Sequence, residues 1–551
     1  MNPIVLGVAA VSAGTLALTK GRRRLALSRA KHPSLGGHVR MAKRIAGQIP
    51  YFSHDEARFF AADGADESVA ARRRAGFERL GTLYAERFAQ TLALTREARA
   101  GLSDLQFTGA YRVPFPFSAR VRETLGTGAF LIRSEGPWVE DLDGNRLIDL
   151  TGSYGVNLFG YDFYKDTIAA GAQMVEGLGP VLGVYHPVVA DNIRRLTALS
   201  GMDELSFHMS GTEAVMQAVR LARYHTGRAR IVRFAGAYHG WWGEVQPGIG
   251  NPVPADRTLT LAELSDRTLK VLATREDIAC VLVNPLQALH PNRAAPSDGQ
   301  LTDSGRSAGT DLAAYRDWLH RLAETCRTNG IVLIFDEVFV GFRLAPGGAA
   351  EYFGVRPDLV TYGKTLGGGL PVGVLAGKAA LMKRFRDDRP ADICFARGTF
   401  NAHPYVMGAM NAFLQRLETP EVRALYDGLD ARWDARAARF NAALAEAEVP
   451  VRAAHLQSIW TITYTRPAAY NWMLQYYLRA EGLALSWVGT GRLIFSLDID
   501  DALFAEIVRR FAAAAQAMQA DGWWDTPAGV TDKQLRRAVL KQAVRVRLGR
   551  G

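Results

Sequence analysis

Several mostly apolar runs lie in the middle of the chain, and each is short enough for a single strand. They occupy residues 231–234, which include Arg233, and residues 278–283, 331–335 and 359–360, and amphipathic stretches separate them. Strands buried on both faces have this continuous apolar character, and their alternation with helices is typical of a parallel sheet. The pattern predicts an α/β large domain over residues 187–400, with a mostly parallel sheet and helices on both faces.

The regions on either side of this domain have different patterns. Residues 138–142 alternate apolar and polar, Asp143-Gly144 is a turn signal, and residues 146–150 are again largely apolar, which together predict a β-hairpin. A further strand is predicted at residues 458–465, and a helix at residues 421–448. Residues 111–186 and 401–530 are therefore predicted to combine strands and helices.

Residues 67–100 carry apolar side chains at steps of three and four residues, including Phe77, Leu80, Tyr84 and Phe88. This spacing predicts a helix whose apolar stripe packs on the main body, with a substrate cover or a membrane contact as the less favoured alternatives. We predict that residues 25–110 form a helical N-terminal extension.

Lys364 follows the apolar pair at residues 359–360 and precedes three consecutive glycines. A lysine on a tight loop at a strand end can be partly desolvated, which lowers its pKa and leaves a neutral amine able to form a Schiff base. Considered alone, a solvated surface lysine beside a flexible turn is the commoner explanation of such a residue.

Two further features precede this loop in the chain. Asp336 and Glu337 close the apolar run at residues 331–335, where a buried carboxylate is costly unless it meets a cation such as a pyridinium nitrogen. Ser210, Gly211 and Thr212 precede an amphipathic helix, whose free backbone amides can bind an anion. Such residues are more often simple helix caps, so each feature is weak alone.

The order of these motifs resembles that of the class III aminotransferases. The motifs are SGTEA at residues 210–214, Tyr238-His239-Gly240, FDEV at residues 335–338, the Lys364 loop and Gly398-Thr399-Phe400. The resemblance runs from about Pro114 to about Phe511 and is closest in look to the glutamate-1-semialdehyde 2,1-aminomutases. It implies a fold-type I enzyme with a seven-stranded type of large domain, an α+β small domain built from residues 111–186 and 401–530 with its last strand at residues 489–497, and pyridoxal 5'-phosphate (PLP) as cofactor.

The same resemblance implies roles for single residues around the cofactor ring. Lys364 would form the Schiff base, and Asp336 would pair with the ring nitrogen. Tyr238 would stack on one face of the ring, and Val338 would pack beneath the other. His239 would either brace the cofactor or cap the turn.

Other residues would serve the cofactor phosphate. Gly211 and Thr212 would hold it, with Ser210 beside them. Thr399 would reach the phosphate of the neighbouring subunit's cofactor. The resemblance therefore implies a homodimer with shared active sites.

Candidate substrate residues are fewer and less specific. Tyr154 would lie at the substrate mouth, and Arg120 or Arg122 falls where the aminomutase branch places an arginine for a carboxylate. Arg492 is a second candidate for that carboxylate; the plainer explanation is a solvated or edge-strand arginine in each case. Where the family has Glu-Pro, this chain has Asn284-Pro285, which puts the usual dual-substrate arrangement in doubt. The polar residues 291–311 that follow predict a loop, either a lid or an inert insertion.

Length and composition set the broad class. The chain has 551 residues, of which 48% are apolar, which is enough for a large packed core. Its three cysteines, Cys280, Cys326 and Cys394, are far apart and form no metal-binding or disulfide pattern, so no metal site is predicted and a reducing compartment is favoured.

The positive charge is concentrated at the two ends of the chain. The net charge is +11, and no Asp or Glu occurs before Asp55. Residues 3–18 are uncharged and mostly apolar, and KGRRR follows them, which predicts an N-terminal membrane anchor that leaves the enzyme in the cytoplasm. A mitochondrial transit peptide is the alternative, although the first nineteen residues contain no arginine.

The C-terminal residues 531–551 predict a basic amphipathic helix, typical of contact with a membrane surface or an acidic partner. No nucleic-acid recognition motif accompanies this charge. The predicted divisions are therefore an anchor at 1–24, the extension at 25–110, the small-domain segments at 111–186 and 401–530, the large domain at 187–400 and the tail at 531–551.

Three functions remain open from the sequence. The first is PLP-dependent transfer or 2,1-migration of an amino group between a small amine or amino acid and an oxo compound. The second is a PLP-dependent decarboxylating condensation of an amino acid with an acyl thioester, suggested by Asn284 and the membrane-directed ends. The third is a membrane-anchored scaffold without activity, against which Lys364 and Asp336 argue.

Overall fold

The computed structural model describes residues 18–111, 113–286, 311–485 and 491–549, without the side chains of residues 108–111. The predicted anchor at residues 3–18 lies outside the described residues except for Leu18. The predicted loop at residues 291–311 also lies outside them except for Asp311.

The strands of the described residues form four sheets. In chain order they are β1 (Leu131–Glu135), β2 (Trp138–Asp141), β3 (Arg146–Asp149), β4 (Glu204–His208), β5 (Arg230–Phe234), β6 (Thr258–Leu261), β7 (Ile278–Val283), β8 (Val332–Asp336), β9 (Leu359–Gly363), β10 (Gly373–Gly377), β11 (Phe385–Arg386), β12 (Arg389–Ile393), β13 (Val451–Leu456), β14 (Ile459–Tyr464), β15 (Leu483–Ala484) and β16 (Arg492–Ile494).

The α-helices of the described residues surround these sheets. In chain order they are α1 (18–30), α2 (Val39–Ala46), α3 (Glu56–Phe60), α4 (Glu67–Arg87), α5 (Ala89–Arg99), α6 (Ser103–Tyr111), α7 (Ser118–Thr124), α8 (Tyr161–Val175), α9 (Val188–Ser200), α10 (Gly211–Thr226), α11 (Asp266–Thr274), α12 (Leu312–Thr328), α13 (Gly348–Phe353), α14 (Ala379–Met382), α15 (Pro404–Leu417), α16 (Pro420–Ala424), α17 (Leu429–Glu446), α18 (Leu474–Ala480), α19 (Asp501–Ala520) and α20 (Asp532–Arg547).

The central sheet has the strand order β4, β10, β9, β8, β7, β5, β6. β10 pairs antiparallel with both β4 and β9, whereas the pairs from β9 to β6 are parallel. The predicted mostly parallel sheet is confirmed, and β5, β7, β8 and β9 coincide with the four apolar runs.

Burial on both faces explains why these runs lack polar alternation. Leu282 and Ile334 belong to an apolar cluster with residues of α10, whereas Val281 and Leu333 belong to a larger cluster with residues of α12. Successive side chains of a strand point to opposite faces. Because helices cover both faces, every position of β7, β8 and β9 is buried and is predominantly apolar.

Smaller sheets flank this layer. The predicted hairpin is formed by β2 and β3, which pair Trp138 with Ile148 and add β1 and β15 at their edges. The second sheet has the order β13, β14, β16. The helix predicted at residues 421–448 is interrupted between α16 and α17, where Gly428 adopts a left-handed φ of 61°.

The N-terminal extension is helical over most of its length. The single helix predicted at residues 67–100 is two helices, because Phe88 adopts a non-helical φ of −119° between α4 and α5. The α4 stripe that includes Phe77, Leu80 and Tyr84 is buried, and the Tyr84 hydroxyl donates to the Tyr476 carbonyl oxygen at 2.9 Å. The extension is thereby packed against α18.

None of the helices in the described ranges is long and apolar enough to cross a membrane. Across the same ranges, no group of three or more His, Cys, Asp or Glu side chains could hold a metal ion.

Candidate active site

A cavity of about 870 Å³ opens where several strands of the central sheet end. Asp336 ends β8, Lys364 directly follows β9, and Tyr238 follows β5. Ligands in α/β proteins bind at this edge, where the carboxyl ends of parallel strands meet. The cavity is lined by Tyr154, Val156, Met209, Ser210, Gly211, Thr212, Val215, Gly236, Tyr238, His239, Gly240, Asn284, Leu286, Asp336, Val338, Phe339, Lys364, Gly369, Leu370, Pro371, Val372, Arg492 and Ile494.

Lys364 is held in an unusual backbone conformation. Its φ of 49° lies in the left-handed region, which residues with a side chain rarely adopt. A short 3-10 helix, Lys364–Gly367, begins there, and Gly368 then packs so closely that a Cβ atom would lie 2.4 Å from the Ala409 carbonyl oxygen. Such strain persists only where the surroundings enforce it, and it is concentrated at functional sites. The loop therefore directs one lysine into the cavity.

The surroundings of Lys364 favour its neutral amine. Burial lowers the pKa of Lys364 below its ordinary value, Asp336 opposes this shift, and Arg343 adds to it. The Nζ atom lies 5.5 Å from the centre of the Phe339 ring. A neutral amine is the form that acts as a nucleophile or as a proton acceptor.

Asp336 is buried and has three hydrogen-bond donors. His239 Nδ1 lies 2.8 Å from Oδ2, while the Val338 amide and the Thr361 hydroxyl donate to Oδ1 at 3.2 Å each. Burial lowers the pKa of His239, which favours the neutral ring with the proton on Nδ1. The Nε2 atom of His239 is buried and has no hydrogen-bond partner in the part of the chain that the structure describes.

The N-terminus of α10 forms the opposite side of the cavity. Ser210 caps this helix by accepting from the Glu213 amide at 3.3 Å. A Cβ atom at Gly211 would lie 2.6 Å from Val338 Cγ1, and one at Gly240 would lie 2.5 Å from Thr212 Oγ1. Only glycine fits at these two positions, so backbone amides are accessible at the start of a 16-residue helix, where an anion is favoured.

Most of the predicted cofactor residues line this cavity. They are Ser210, Gly211, Thr212, Tyr238, His239, Asp336, Val338 and Lys364. Tyr238 is 57% exposed, and partial burial together with Asp336 raises its pKa. Thr399 is exposed on the segment at residues 395–400 and does not line the cavity of its own chain.

The predicted substrate residues fall into two groups. Tyr154 and Arg492 line the cavity, and Tyr154 is half exposed with a left-handed φ of 58°. Arg120 instead pairs with Glu56 at 3.2 Å, and Arg122 is exposed on α7. Neither of these two arginines lines the cavity of its own chain.

Sequence reasoning missed Phe339, Thr361 and the wall formed by residues 369–372. Phe339 lies three residues after Asp336, and Thr361 stands directly opposite Asp336 in the β8 and β9 register. Phe339 lies shortly after the end of β8, and this position could have identified it as a residue of the site. The register that places Thr361 beside Asp336 has no signal in the sequence.

Comparison with known proteins agrees with this geometry. The family model described as aminotransferase class-III matches residues 119–515. A glutamate-1-semialdehyde 2,1-aminomutase of Nitratidesulfovibrio vulgaris (strain DP4) is 34% identical over 362 residues, which are 64% of this chain and 82% of that protein.

The chain belongs to the class III aminotransferases.

Solved structures support the fold and the cofactor of this class III aminotransferase. A transaminase with PLP bound is 26% identical, with a TM-score of 0.61 over 75% of this chain and 94% of that chain. A glutamate-1-semialdehyde aminomutase of Pseudomonas aeruginosa PAO1 is 20% identical, with a TM-score of 0.64 over 81% of this chain and 99% of that chain, and it supports the fold alone.

The predicted fold class, cofactor and enzyme class are therefore confirmed. This class III aminotransferase is a PLP-dependent enzyme of amino-group transfer, either a transaminase or a 2,1-aminomutase. The condensation reaction and the inactive scaffold are not favoured by these relatives.

Proposed function

We propose that the cavity beside Lys364 performs amino-group transfer on a substrate that carries one carboxylate and an otherwise apolar body. The relatives that are glutamate-1-semialdehyde 2,1-aminomutases favour a 2,1-aminomutase reaction, whose product is an isomer of the substrate with the amino group on a different carbon. The PLP-bound transaminase structure supports transamination as the second candidate.

The residues of the cavity fit the phosphate, the ring nitrogen and the covalent attachment of PLP. The glycines at residues 211 and 240 leave the α10 amides accessible to a phosphate, with Ser210 and Thr212 beside them. Asp336 supplies a buried carboxylate for a protonated ring nitrogen, and Lys364 supplies the amine that would hold the cofactor covalently. When bound, PLP supplies an electron sink for negative charge that develops on the substrate carbon.

The chain's own groups then have separate tasks. Lys364 Nζ, favoured in its neutral form, accepts a proton from the carbon that bears the amino group and returns it to a second position. His239 and Thr361 orient the Asp336 carboxylate by their hydrogen bonds. Tyr238 and Val338 would enclose the two faces of the cofactor ring.

The substrate would occupy the remaining part of the cavity. Arg492 offers a guanidinium for a carboxylate, and such pairs are strong when they are bidentate. Phe339, Leu370 and Ile494 provide apolar walls for the rest of the molecule. Arg120 and Arg122 remain carboxylate candidates only if another chain or a movement brings them to the site.

A single observation carries the proposal: Lys364, whose neutral amine is favoured, and the Asp336–His239 pair line the same cavity. Borohydride reduction of the PLP-loaded enzyme, followed by peptide mapping, should place the cofactor on Lys364. Lys364→Ala should abolish this adduct and the activity. The matched control is Lys378→Ala, because Lys378 is exposed and pairs with Asp358. A cofactor adduct on any other lysine would contradict the proposal.

The two reactions can be separated by their need for an acceptor. An aminomutase should convert its substrate into an isomer without any added oxo acid. A transaminase should require an added oxo acid and should transfer a nitrogen-15 label from the amino donor to it.

We also propose that the active enzyme is a homodimer in which Thr399 reaches the neighbouring subunit's cofactor. Large apolar side chains are exposed near this segment, including Tyr185, Phe395 and Phe400. Arg397 connects the segment to the Gly183 carbonyl oxygen at 3.2 Å. Exposed patches of this kind are typical of protein interfaces.

Mixed dimers provide a direct test of this sharing. Co-expressed Lys364→Ala and Thr399→Ala chains should recover one intact site per mixed dimer, because the intact Lys364 and the intact Thr399 come from different chains. If Thr399 served its own chain, the mixed dimer would contain no intact site and activity would not recover.

We propose, further, that the two basic ends of the chain contact a membrane surface. Arg547 at the end of α20 donates to the Gln48 carbonyl oxygen at 3.0 Å, so α20 lies beside the segment that follows α2. Leu540 and Val544 are exposed on α20 among several cations. The full chain should sediment with anionic vesicles and not with neutral ones, and changing Lys533, Lys541 and Arg545 to Gln should weaken this binding.

A further inference from the structure

Arg343 is a fully buried cation. Its side chain is among the largest fully buried ones, and no carboxylate lies within ion-pair distance of it in the described parts of the chain. Among the described residues the guanidinium donates to neutral oxygens: Ser458 Oγ at 3.0 Å, the Phe495 carbonyl at 2.8 Å and the Asn157 carbonyl at 3.3 Å. A desolvated charge of this kind is costly, and burial lowers the pKa of Arg343 to about 10.

The three acceptors belong to three segments that build the substrate end of the cavity. Asn157 lies three residues after Tyr154, and Phe495 lies three residues after Arg492. Ser458 stands in the turn between β13 and β14, and β14 pairs with β16. Arg343 itself lies seven residues after Asp336, on the segment that also carries Phe339. One side chain therefore connects the cofactor end of the cavity to the walls around its substrate end.

Arg343 is also close to the reacting lysine through one aromatic ring. Its Cζ atom lies 5.8 Å from the centre of the Phe339 ring, and Lys364 Nζ lies 5.5 Å from the same centre. Two cations that share a ring repel each other, and the repulsion is strong where water is excluded. A carboxylate beside Arg343 would cancel this effect, whereas hydroxyl and carbonyl oxygens leave it in place.

We propose that Arg343 is a positioning residue that fixes the Tyr154 and Arg492 segments to the Asp336 segment and places an uncompensated positive charge near Lys364. The proposal rests on the proposed function of the same cavity. The fork geometry of the guanidinium serves the first task, because it reaches three acceptors at once. The unpaired charge serves the second task, since it favours a neutral Lys364 amine and an anionic substrate.

Two substitutions separate the fork from the charge. Arg343→Lys keeps the charge and loses the fork, whereas Arg343→Gln loses the charge and keeps a hydrogen-bonding group. Ser458→Ala removes one acceptor without changing any charge. Arg73→Lys is the matched control, because Arg73 is equally buried but pairs with Asp63.

Two measurements on the full chain give distinct expectations. The first is the rate at which an amine-acylating reagent labels Lys364 at pH 7 in cofactor-free enzyme, followed by peptide mass analysis, with no turnover involved. Arg343→Gln should slow this labelling about threefold to tenfold, since removing the nearby cation raises the pKa of Lys364 and reduces its neutral fraction. Arg343→Lys, Ser458→Ala and Arg73→Lys should label at the wild-type rate.

The second measurement is the separation of KM from kcat in the PLP-loaded enzyme. Arg343→Lys should raise KM about tenfold with kcat largely retained, because the Tyr154 and Arg492 segments are less firmly placed. Ser458→Ala should raise KM by a smaller factor, and Arg73→Lys should leave it unchanged. Unchanged labelling in Arg343→Gln together with unchanged KM in Arg343→Lys and Ser458→Ala would overturn the proposal. Failure of the proposed function would appear differently, as activity retained in Lys364→Ala.

Discussion

Two fully buried arginines in this molecule are stabilised in opposite ways. Arg73, in the N-terminal extension, meets both oxygens of the buried Asp63 carboxylate at 2.9 Å and also donates to the Phe60 carbonyl. Arg343, beside the cavity, donates to hydroxyl and carbonyl oxygens of the described residues. Both side chains are excluded from water, yet within the described ranges a carboxylate neutralises the charge of Arg73 alone.

The difference separates a structural charge from one that acts on the site. A buried pair such as Arg73 and Asp63 has a weak field outside itself, because the opposite charges cancel at a distance. The Arg73–Asp63 pair fixes the geometry of the N-terminal extension, whose described residues do not contribute to the lining of the cavity. A buried cation with neutral partners costs more to fold but retains its field, and that field is useful next to an amine that must be neutral.

The largest effect should come from breaking the neutralised pair. Arg73→Met removes the cation that pairs with the buried Asp63 and should lower the free energy of unfolding by about 3–5 kcal/mol, measured by chemical denaturation. Adding Asp63→Leu should restore much of the loss, because no charge then stays buried alone. Arg194→Met is the control, since the Arg194–Asp191 pair is largely exposed and should contribute less than about 1 kcal/mol. A small loss of unfolding free energy in Arg73→Met would contradict the distinction drawn between Arg73 and Arg343.

Glu337 extends the comparison to a buried acid whose partners in the described parts of the chain are backbone amides. Its carboxylate accepts from the Ala349 and Ala350 amides, and burial raises its pKa to about 7. A raised carboxyl pKa means that its contribution to stability is complete below the ordinary pKa of about 4.5 and is lost as the pH rises to about 7.

The wild-type enzyme should therefore lose on the order of 2 kcal/mol of unfolding free energy, relative to Glu337→Gln, between pH 4.5 and pH 7. Chemical denaturation at several pH values gives the unfolding free energy of each protein as a function of pH. If this free energy changed with pH equally in the wild type and in Glu337→Gln, Glu337 would not titrate in this range.

The smallest effects should come from the neutral partners of the two arginines. The Tyr470 hydroxyl accepts from the Ala62 amide and donates to the Phe59 carbonyl, beside Arg73, and Ser458 accepts from Arg343. Tyr470→Phe and Ser458→Ala should each cost about 1 kcal/mol of unfolding free energy. Only Ser458→Ala should also change KM. An equal change of KM in both variants would mean that the two regions are not distinct.

The fold was largely predictable from the sequence pattern because most residues of β7, β8 and β9 are buried and apolar. The run that became β5 is also mostly apolar, although it includes Arg233. β4, β6 and β10 were not predicted, since β4 and β6 mix apolar with polar residues and β10 contains two glycines in five residues. The break at Phe88 was missed because the apolar stripe continues across it.

What the sequence by itself determined is the chemistry that the chain can offer: the lysine on a glycine loop, the carboxylate at a strand end and the small residues before a long helix. These features are local, and local backbone preferences are sufficient to predict them. Only the tertiary structure decided that His239 meets Asp336 across 97 residues and that the described partners of Arg343 are hydroxyl and carbonyl oxygens. The physical reason is that desolvation and Coulomb interaction depend on distances through space, and these distances are set by strand order and register.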